Sequence, residues 1–308
     1  QNAYFCSMDA SNAQIISRRW FVERWKTRPS DGHKGTFGHL LLIAGHKGMI
    51  GAAVLAARAA LRSGVGKVTV HLPRCGRDIL QIAVPEAVLQ VDETSDRCWS
   101  SLIDPSPFSA IAVGPGLGTE GETAFALRSL LKNLLEFDTK GKAPALILDA
   151  DALNLLSADY QLLSLLPPGS VLTPHIGEMN RLCQALDLPH GELSELHASA
   201  QSLSTALGLS IALKNHIPHL FATDGSLLIA EGEGNSALAK AGSGDVLTGL
   251  IGGLAAQGYA PTQAAALAIC LHREAGKIAA ARHSAPATVA SDLVEALGEA
   301  FLHLLPTP

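Results

Sequence analysis

Cysteine is scarce in this chain: Cys6, Cys75, Cys98, Cys183 and Cys270 are the five in 308 residues. They are odd in number and never spaced C-x-x-C. That argues against a disulfide framework and a structural zinc site, and for the reduced thiols of a cytoplasmic protein. Blocks of Lys and Arg are missing too, and the net charge is −5. The chain therefore carries no electrostatic footprint for nucleic acid or an anionic membrane, and a small molecule is the expected ligand. There is no internal repeat, no Pro/Gly/Ser linker and no secretory n- and h-region. Tyr4-Phe5-Cys6-Ser7 and Ser11-Asn12-Ala13 look like altered remnants of an expression tag and its cleavage scar. Residues 1–13 are accordingly set aside, and one domain is expected over 14–308. Formal charge is absent from Val246 to Leu271. The turn Gln257-Gly258-Tyr259-Ala260-Pro261-Thr262-Gln263 splits that stretch into two helices too short to cross a bilayer, so they are expected to be buried.

What the chain has instead is alternation. Leu40–Ala44 is an apolar run ended by Gly45, and Met49–Ser63 reads as an Ala-rich helix closed by Gly64. Lys67–His71, Ala110–Val113, Ala145–Leu148 and Ser170–Thr173 read as further strands. Their apolar character is continuous, as in strands covered on both faces. Helical patterns occupy Glu120–Leu135, Ile176–Leu186 and Glu192–Leu207. The alternation predicts an α/β fold, a central mostly parallel sheet flanked by helices on both faces. Ile211–Lys214, Leu220–Thr223 and Leu227–Ala230 crowd around Thr223-Asp224-Gly225-Ser226, predicting a hairpin and an antiparallel edge.

In open parallel sheets ligands bind beyond the carboxyl ends of the strands. The polar and glycine-rich motifs fall there: Gly45, Gly114-Pro115-Gly116-Leu117-Gly118, Asp149-Ala150-Asp151-Ala152-Leu153-Asn154, and Thr173-Pro174-His175-Ile176-Gly177-Glu178. Most informative is Gly242-Ser243-Gly244-Asp245, which leads into an apolar helix and leaves N–H groups open to an anion. A carboxylate beside a phosphate-sized hollow repels its ligand unless it handles a proton or a metal, which suggests phosphoryl chemistry on a hydroxyl. In isolation the same residues could be a plain helix cap. Three motifs are near misses. Gly114 to Gly118 is not G-x-G-x-x-G, Gly64-Val65-Gly66-Lys67 lacks the other P-loop residues, and His216 and His219 fall on opposite faces of an extended segment. Asp149 and Asp151 could hold Mg2+ through water, with a helix cap the alternative for Asp151.

Lys34-Gly35-Thr36-Phe37-Gly38, Gly51-Ala52-Ala53, Ser63-Gly64-Val65-Gly66 and Pro85-Glu86-Ala87-Val88 precede the rim motifs, and Leu213-Lys214 and Gly234 to Asp245 follow them. In this order they resemble the ribokinase-like superfamily, and within it the ADP- or ATP-dependent NAD(P)H-hydrate dehydratases, from about Lys34 to Leu304. The resemblance implies that Asp245 is the catalytic aspartate at the substrate hydroxyl and that Gly242, Ser243 and Gly244 form an anion hole for the transferring phosphoryl. It also implies that Ala52, Gly116, His175 and Asp245 contact the hydrated dinucleotide. Lys214, Asn215, His216, Ile217 and Pro218, with Asn235 and Gly242 to Gly244, are implied as the nucleotide site. Ala237, Leu238 and Ala241 depart from the family's usual Gly, Met and Gly, and Ala241 is expected to narrow the room around the phosphates. Ile217 and Pro218 stand where a small or polar run is usual.

The activity implied is dehydration of the S-epimer of hydrated NADH or NADPH, by phosphorylation of the ring hydroxyl and elimination of phosphate. ADP or ATP is the implied co-substrate, Mg2+ the implied cofactor, and a homotetramer the implied assembly, with a separate hydrate epimerase in the same pathway. The alternative is a kinase of the same fold acting on a hydroxyethylthiazole or hydroxymethylpyrimidine alcohol. A nucleotide sensor is a third reading, disfavoured because a binder gains nothing from a carboxylate facing phosphate.

Overall fold

A strand buried on both faces must find apolar partners above and below the sheet. The computed structural model, which describes residues 13–138 and 143–306, shows how this is met. The chain runs β1 (Ala13–Ile16), α1 (Arg18–Arg24), β2 (His39–Ile43), α2 (Ile50–Arg62), β3 (Lys67–Pro73), α3 (Arg77–Ala83) and β4 (Val88–Asp92). It continues through β5 (Ala110–Val113), α4 (Gly121–Asp138), β6 (Ala145–Leu148), α5 (Asp151–Ala158), β7 (Val171–Leu172), α6 (Ile176–Ala185) and α7 (Leu193–Leu207). Then come β8 (Ser210–Leu213), β9 (His219–Phe221), β10 (Leu227–Ala230), α8 (Ser243–Ala256), α9 (Pro261–His283) and α10 (Ala290–Leu304). Along β2, Leu40 and Leu42 enter one core with α2, α8, α9 and α10, while Leu41 and Ile43 enter a second with α4 to α7. This two-sided burial is why the run is continuous rather than alternating.

Among the described residues ten strands form one sheet in the order β1-β10-β9-β8-β7-β6-β5-β2-β3-β4. Each pairing is parallel except the two made by β9. The predicted turn at 223–226 does join β9 to β10, closed by Ala222 N donating to the Ser226 carbonyl at 2.9 Å. The antiparallel strands are not the edge, however. β1 pairs with β10 in parallel, Ala13 opposite Leu227. Ala13 therefore belongs to the sheet, one residue inside the stretch set aside as a tag remnant; the rest of that stretch lies outside the described residues. β4 escaped the sequence reading because it is an edge strand with mixed exposure, not a continuous apolar run.

The uncharged stretch becomes α8 and the first half of α9, both within the core. Among the described residues no helix is long and apolar enough to cross a membrane. Cys75, Cys98, Cys183 and Cys270 are free thiols, and Cys6 lies outside the described residues. α8 lies directly on α2: a Cβ added at Gly249 would stand 2.1 Å from the Ala56 carbonyl oxygen, and one at Gly253 2.1 Å from Ser63 Oγ. At Gly249 backbone meets backbone and cannot yield. Gly249→Ala is therefore expected to lower stability by about 1–3 kcal/mol, read as a shift in the denaturant midpoint. An unchanged midpoint would show that the two helices can separate freely.

Two consequences position the site. The chain steps outward from β2 to β4 and then returns to β5 on the other side of β2, which leaves a crevice at the switch point between β2 and β5. The close α2–α8 contact also fixes where the N-terminus of α8 opens onto the rim.

Candidate active site

The N-terminus of α8 begins with Gly242, whose φ of 88° is left-handed and therefore suits glycine. Gly244 is an ordinary helical residue; an added Cβ would press on the tip of Lys214, 3.3 Å from Nζ, and sit at ordinary contact, 3.7 Å, with Asp149 Oδ2. Ser243 N donates to the Lys240 carbonyl at 3.2 Å, so this N–H is not free for an anion. Among the described residues the N–H groups of Gly242, Gly244 and Asp245 have no protein acceptor, so of the anion hole the sequence implied only the Ser243 N–H is taken up within the protein. His272 of α9 holds the turn from below, with Nε2 donating to the Ser243 carbonyl at 3.0 Å and lying 3.0 Å from its Oγ. Burial pushes this imidazole down to about 4, so it is neutral at pH 7 and leaves the open N–H groups as the positive end of the helix.

Asp245 stands in the first turn of α8. Burial pushes its carboxyl up to about 7; the Asp149 carboxylate adds to the push and Lys214 opposes it. Asp149, 1% exposed, ends β6 with both oxygens engaged: Lys214 Nζ at 2.6 Å on Oδ1 and Thr248 Oγ1 at 2.6 Å on Oδ2. Lys214 extends β8, its N–H bonded to the Pro174 carbonyl at 2.7 Å, and its ammonium also lies 3.7 Å from Glu178 Oε2. Burial would lower this ammonium, but Asp149 and Glu178 outweigh it and hold the group above its usual range.

His175 caps α6. Its Nδ1 accepts the N–H groups of Gly177 and Glu178, at 2.9 and 3.2 Å, so the other ring nitrogen carries the proton and faces Glu178 Oε1 at 3.3 Å. Burial lowers the imidazole, against the pull of Glu178. Glu178 in return accepts the His175 N–H at 2.7 Å, a reciprocal cap that locks the strand end to the helix start.

These groups share a cavity of about 830 Å³. Of the residues singled out from sequence, His175, Lys214, Asn215, His216, Pro218, Asn235, Gly242, Ser243, Gly244 and Asp245 line it. Ile217 turns away into the core beneath. Ala52 and Gly116 lie at the β2/β5 switch point, where a Cβ on Gly116 would stand 2.9 Å from the Ala52 Cβ. Ala241 is exposed and does not line the cavity, so it does not narrow the phosphate space.

Asp149, Glu178, Thr248 and His272 complete the machinery. Glu178 was visible as a motif residue without a chemical role, and Asp149 as one that could hold Mg2+ through water, whereas here it holds Lys214 and Thr248. Thr248 and His272 gave no signal of their own, although His272 and Arg273 are the first ionisable side chains after the uncharged run.

Mg2+ must be fitted to these donors. Asp151 is not free for it, since its oxygens take the Gly118 N–H at 2.9 Å and Asn154 Nδ2 at 3.1 Å. It serves as a tie between loops rather than as the helix cap, which falls on Ala150. Among the described residues no group of three or more His, Cys, Asp or Glu is placed to cage a metal. That donor set fits an ion that arrives with phosphates and keeps its waters, with Asp245, in the same first turn as the open N–H groups, the carboxylate that would face it, since both oxygens of Asp149 are already engaged.

A doubly covered sheet with an aspartate at an open helix N-terminus on its rim defines a ribokinase-like α/β protein. A ribokinase-like superfamily protein from Enterococcus faecalis superposes over 99% of both chains with a TM-score of 0.79 at 28% identity. More narrowly, the chain belongs to the NAD(P)H-hydrate dehydratase family, whose profile matches residues 40–298. The ADP-dependent (S)-NAD(P)H-hydrate dehydratase of Neisseria meningitidis is 36% identical over 265 residues, 84% of this chain and 82% of that protein. The bifunctional NAD(P)H-hydrate repair enzyme of Moorella thermoacetica is 36% identical over 295 residues, 93% of this chain and 53% of that protein. The chain thus spans about half the length of the bifunctional relatives it matches. The ADP/ATP-dependent NAD(P)H-hydrate dehydratase of Bacillus subtilis, co-crystallised with ATP and Mg2+, has a TM-score of 0.78 at 28% identity over 95% of this chain and 99% of its own.

Proposed function

We propose that this chain dehydrates the S-epimer of hydrated NADH and NADPH at the expense of ADP or ATP. The observation that carries the reading is Asp245, a carboxyl raised to about 7 in the first turn of a helix with open N–H groups, facing a cavity it shares with Lys214. A base poised near neutrality can take a hydroxyl proton and still exist as carboxylate. Asp245 removes the proton from the ring hydroxyl, and the oxygen forms a bond to the terminal phosphorus of the nucleotide while the bridging P–O bond breaks. The N–H groups of Gly244 and Asp245 and the ammonium of Lys214 face the charge of the migrating phosphoryl. Phosphate then leaves with the C–O bond electrons, assisted by the ring nitrogen lone pair, and loss of a proton from the neighbouring carbon restores the dihydropyridine. With ADP the products are AMP, phosphate and NADH or NADPH. Mg2+, arriving with the phosphates and held on the protein side by Asp245, would supply charge neutralisation.

Family membership and the relatives' names favour this over a vitamin-precursor kinase. The dihydronicotinamide absorbance is expected to appear when enzyme, Mg2+, ADP and hydrated NADH or NADPH are mixed, with ATP in parallel. Phosphorylation of hydroxyethylthiazole or hydroxymethylpyrimidine, with no turnover of the hydrates, would transfer the assignment to the kinase. We extend the proposal to a homotetramer in the cytoplasm working beside a separate hydrate epimerase. The relatives' description as bifunctional supports a second repair activity, and light scattering tests the assembly.

A further inference from the structure

Two loops wall the cavity on the nucleotide side: the segment 214–218 between β8 and β9, and the segment 231–242 between β10 and α8. They touch at Gly234, where an added Cβ would lie 3.1 Å from His216 Cβ and 3.2 Å from its carbonyl oxygen. Beneath them stands Arg273 of α9, 5% exposed. All three of its hydrogen bonds go to main-chain carbonyls: Nη1 to His216 at 3.4 Å, and Nη2 to Glu231 at 3.0 Å and Glu233 at 2.7 Å. Gly232, with φ at 86°, turns the chain so that the carbonyls on either side of it converge on one nitrogen. A buried cation that binds carbonyls rather than a carboxylate keeps an uncompensated desolvation cost. What it gains is a rigid fork of donors reaching two separate loops at once.

We propose that Arg273 is a positioning residue for the nucleotide, fixing the loop of Asn215 to Pro218 against the loop of Glu231 to Asn235 without touching the nucleotide. This rests on the nucleotide reading of the larger cavity. Arg273 is not among the residues lining that cavity; it lines a separate one of about 220 Å³, with Glu231, Glu274 and Lys277. Its action therefore passes through the backbone. Without the fork, the two loops sample other arrangements, and apparent affinity falls by the fraction of molecules in the competent one. Asp245 is held by α8 and His272 instead, so turnover at saturation is retained.

The test measures ADP affinity by calorimetry and kcat and KM for ADP on the full chain. Arg273→Ala is expected to raise Kd and KM for ADP about tenfold while kcat changes less than about threefold. Arg273→Lys keeps the charge but not the fork and should remain nearer to Arg273→Ala than to the parent. Gly232→Ala, with Arg273 intact, should move KM in the same direction. The hollow left by Arg273→Ala adjoins the smaller cavity, so millimolar guanidinium should restore ADP affinity, whereas ethylammonium should not. ADP affinity unchanged in the variants, or kcat falling in step with affinity, overturns the proposal. If Arg273→Ala does not fold, Arg273→Lys and Gly232→Ala decide it by the same criteria. A parent protein that fails to bind ADP would instead overturn the functional reading, and this inference with it.

Discussion

Asp245→Asn is expected to lose about 10²- to 10⁴-fold in turnover and, at pH 8, to melt at a higher temperature than the parent. The two effects share one cause. Burial and Asp149 raise the carboxyl from 3.8 to about 7, so the folded protein holds a proton there that the unfolded chain releases near pH 4. Between those values the native state binds more protons, and stability falls as pH rises, reaching its full cost above about 7. An amide carries no such charge, so the gain in melting temperature should be present at pH 8 and vanish toward pH 4. For the parent, kcat/KM should rise with pH along an acid limb near 7, since the base must be deprotonated in the free enzyme. Asp149→Asn should move that limb to lower pH, because Asp149 is one of the groups that raise Asp245. A loss of tenfold or less in Asp245→Asn, with the limb in place, would remove Asp245 from the role of base.

Lys214→Met should be the most damaging change to stability on the rim. The ammonium is 2.6 Å from Asp149 and 3.7 Å from Glu178, carboxylates 1% and 6% exposed, and removing it leaves both without a cation. Breaking a buried pair from one side typically costs about 3–5 kcal/mol, here a fall on the order of 10 °C in Tm. ADP affinity should fall as well, because the same ammonium lines the cavity beside Gly244. Calorimetric melts at pH 5 and pH 8, with ADP titrations, measure both effects. A variant that melts with the parent at both pH values would show that the carboxylates find other partners.

Legibility followed range. The strand from Leu40 was readable because its neighbours in sequence are also its layer in the fold, and Gly45, Gly116, Asp149 and His175 were readable because a parallel sheet delivers its strand ends to one rim. β1 was not, since four residues acquire meaning from pairing with Leu227 to Ala230, more than two hundred positions away. Gly249 read as one small residue in an apolar helix; its contact with the Ala56 carbonyl appears when α2 and α8 are laid together. Asp151 looked like a partner for Asp149 at two residues' spacing, but the turn at Ala150, with φ at 47°, sends its carboxylate to the Gly118 N–H.

By itself the sequence determined the layered α/β architecture and the aspartate at the start of α8, because hydrophobic period and helix-start chemistry act within a few residues. The tertiary structure alone decided what Asp245 can do. Its rise to about 7 needs burial and the carboxylate of Asp149, just after β6, and it happens in spite of the ammonium of Lys214, just after β8. Burial and Coulomb energy depend on distances that are set only when the chain has packed.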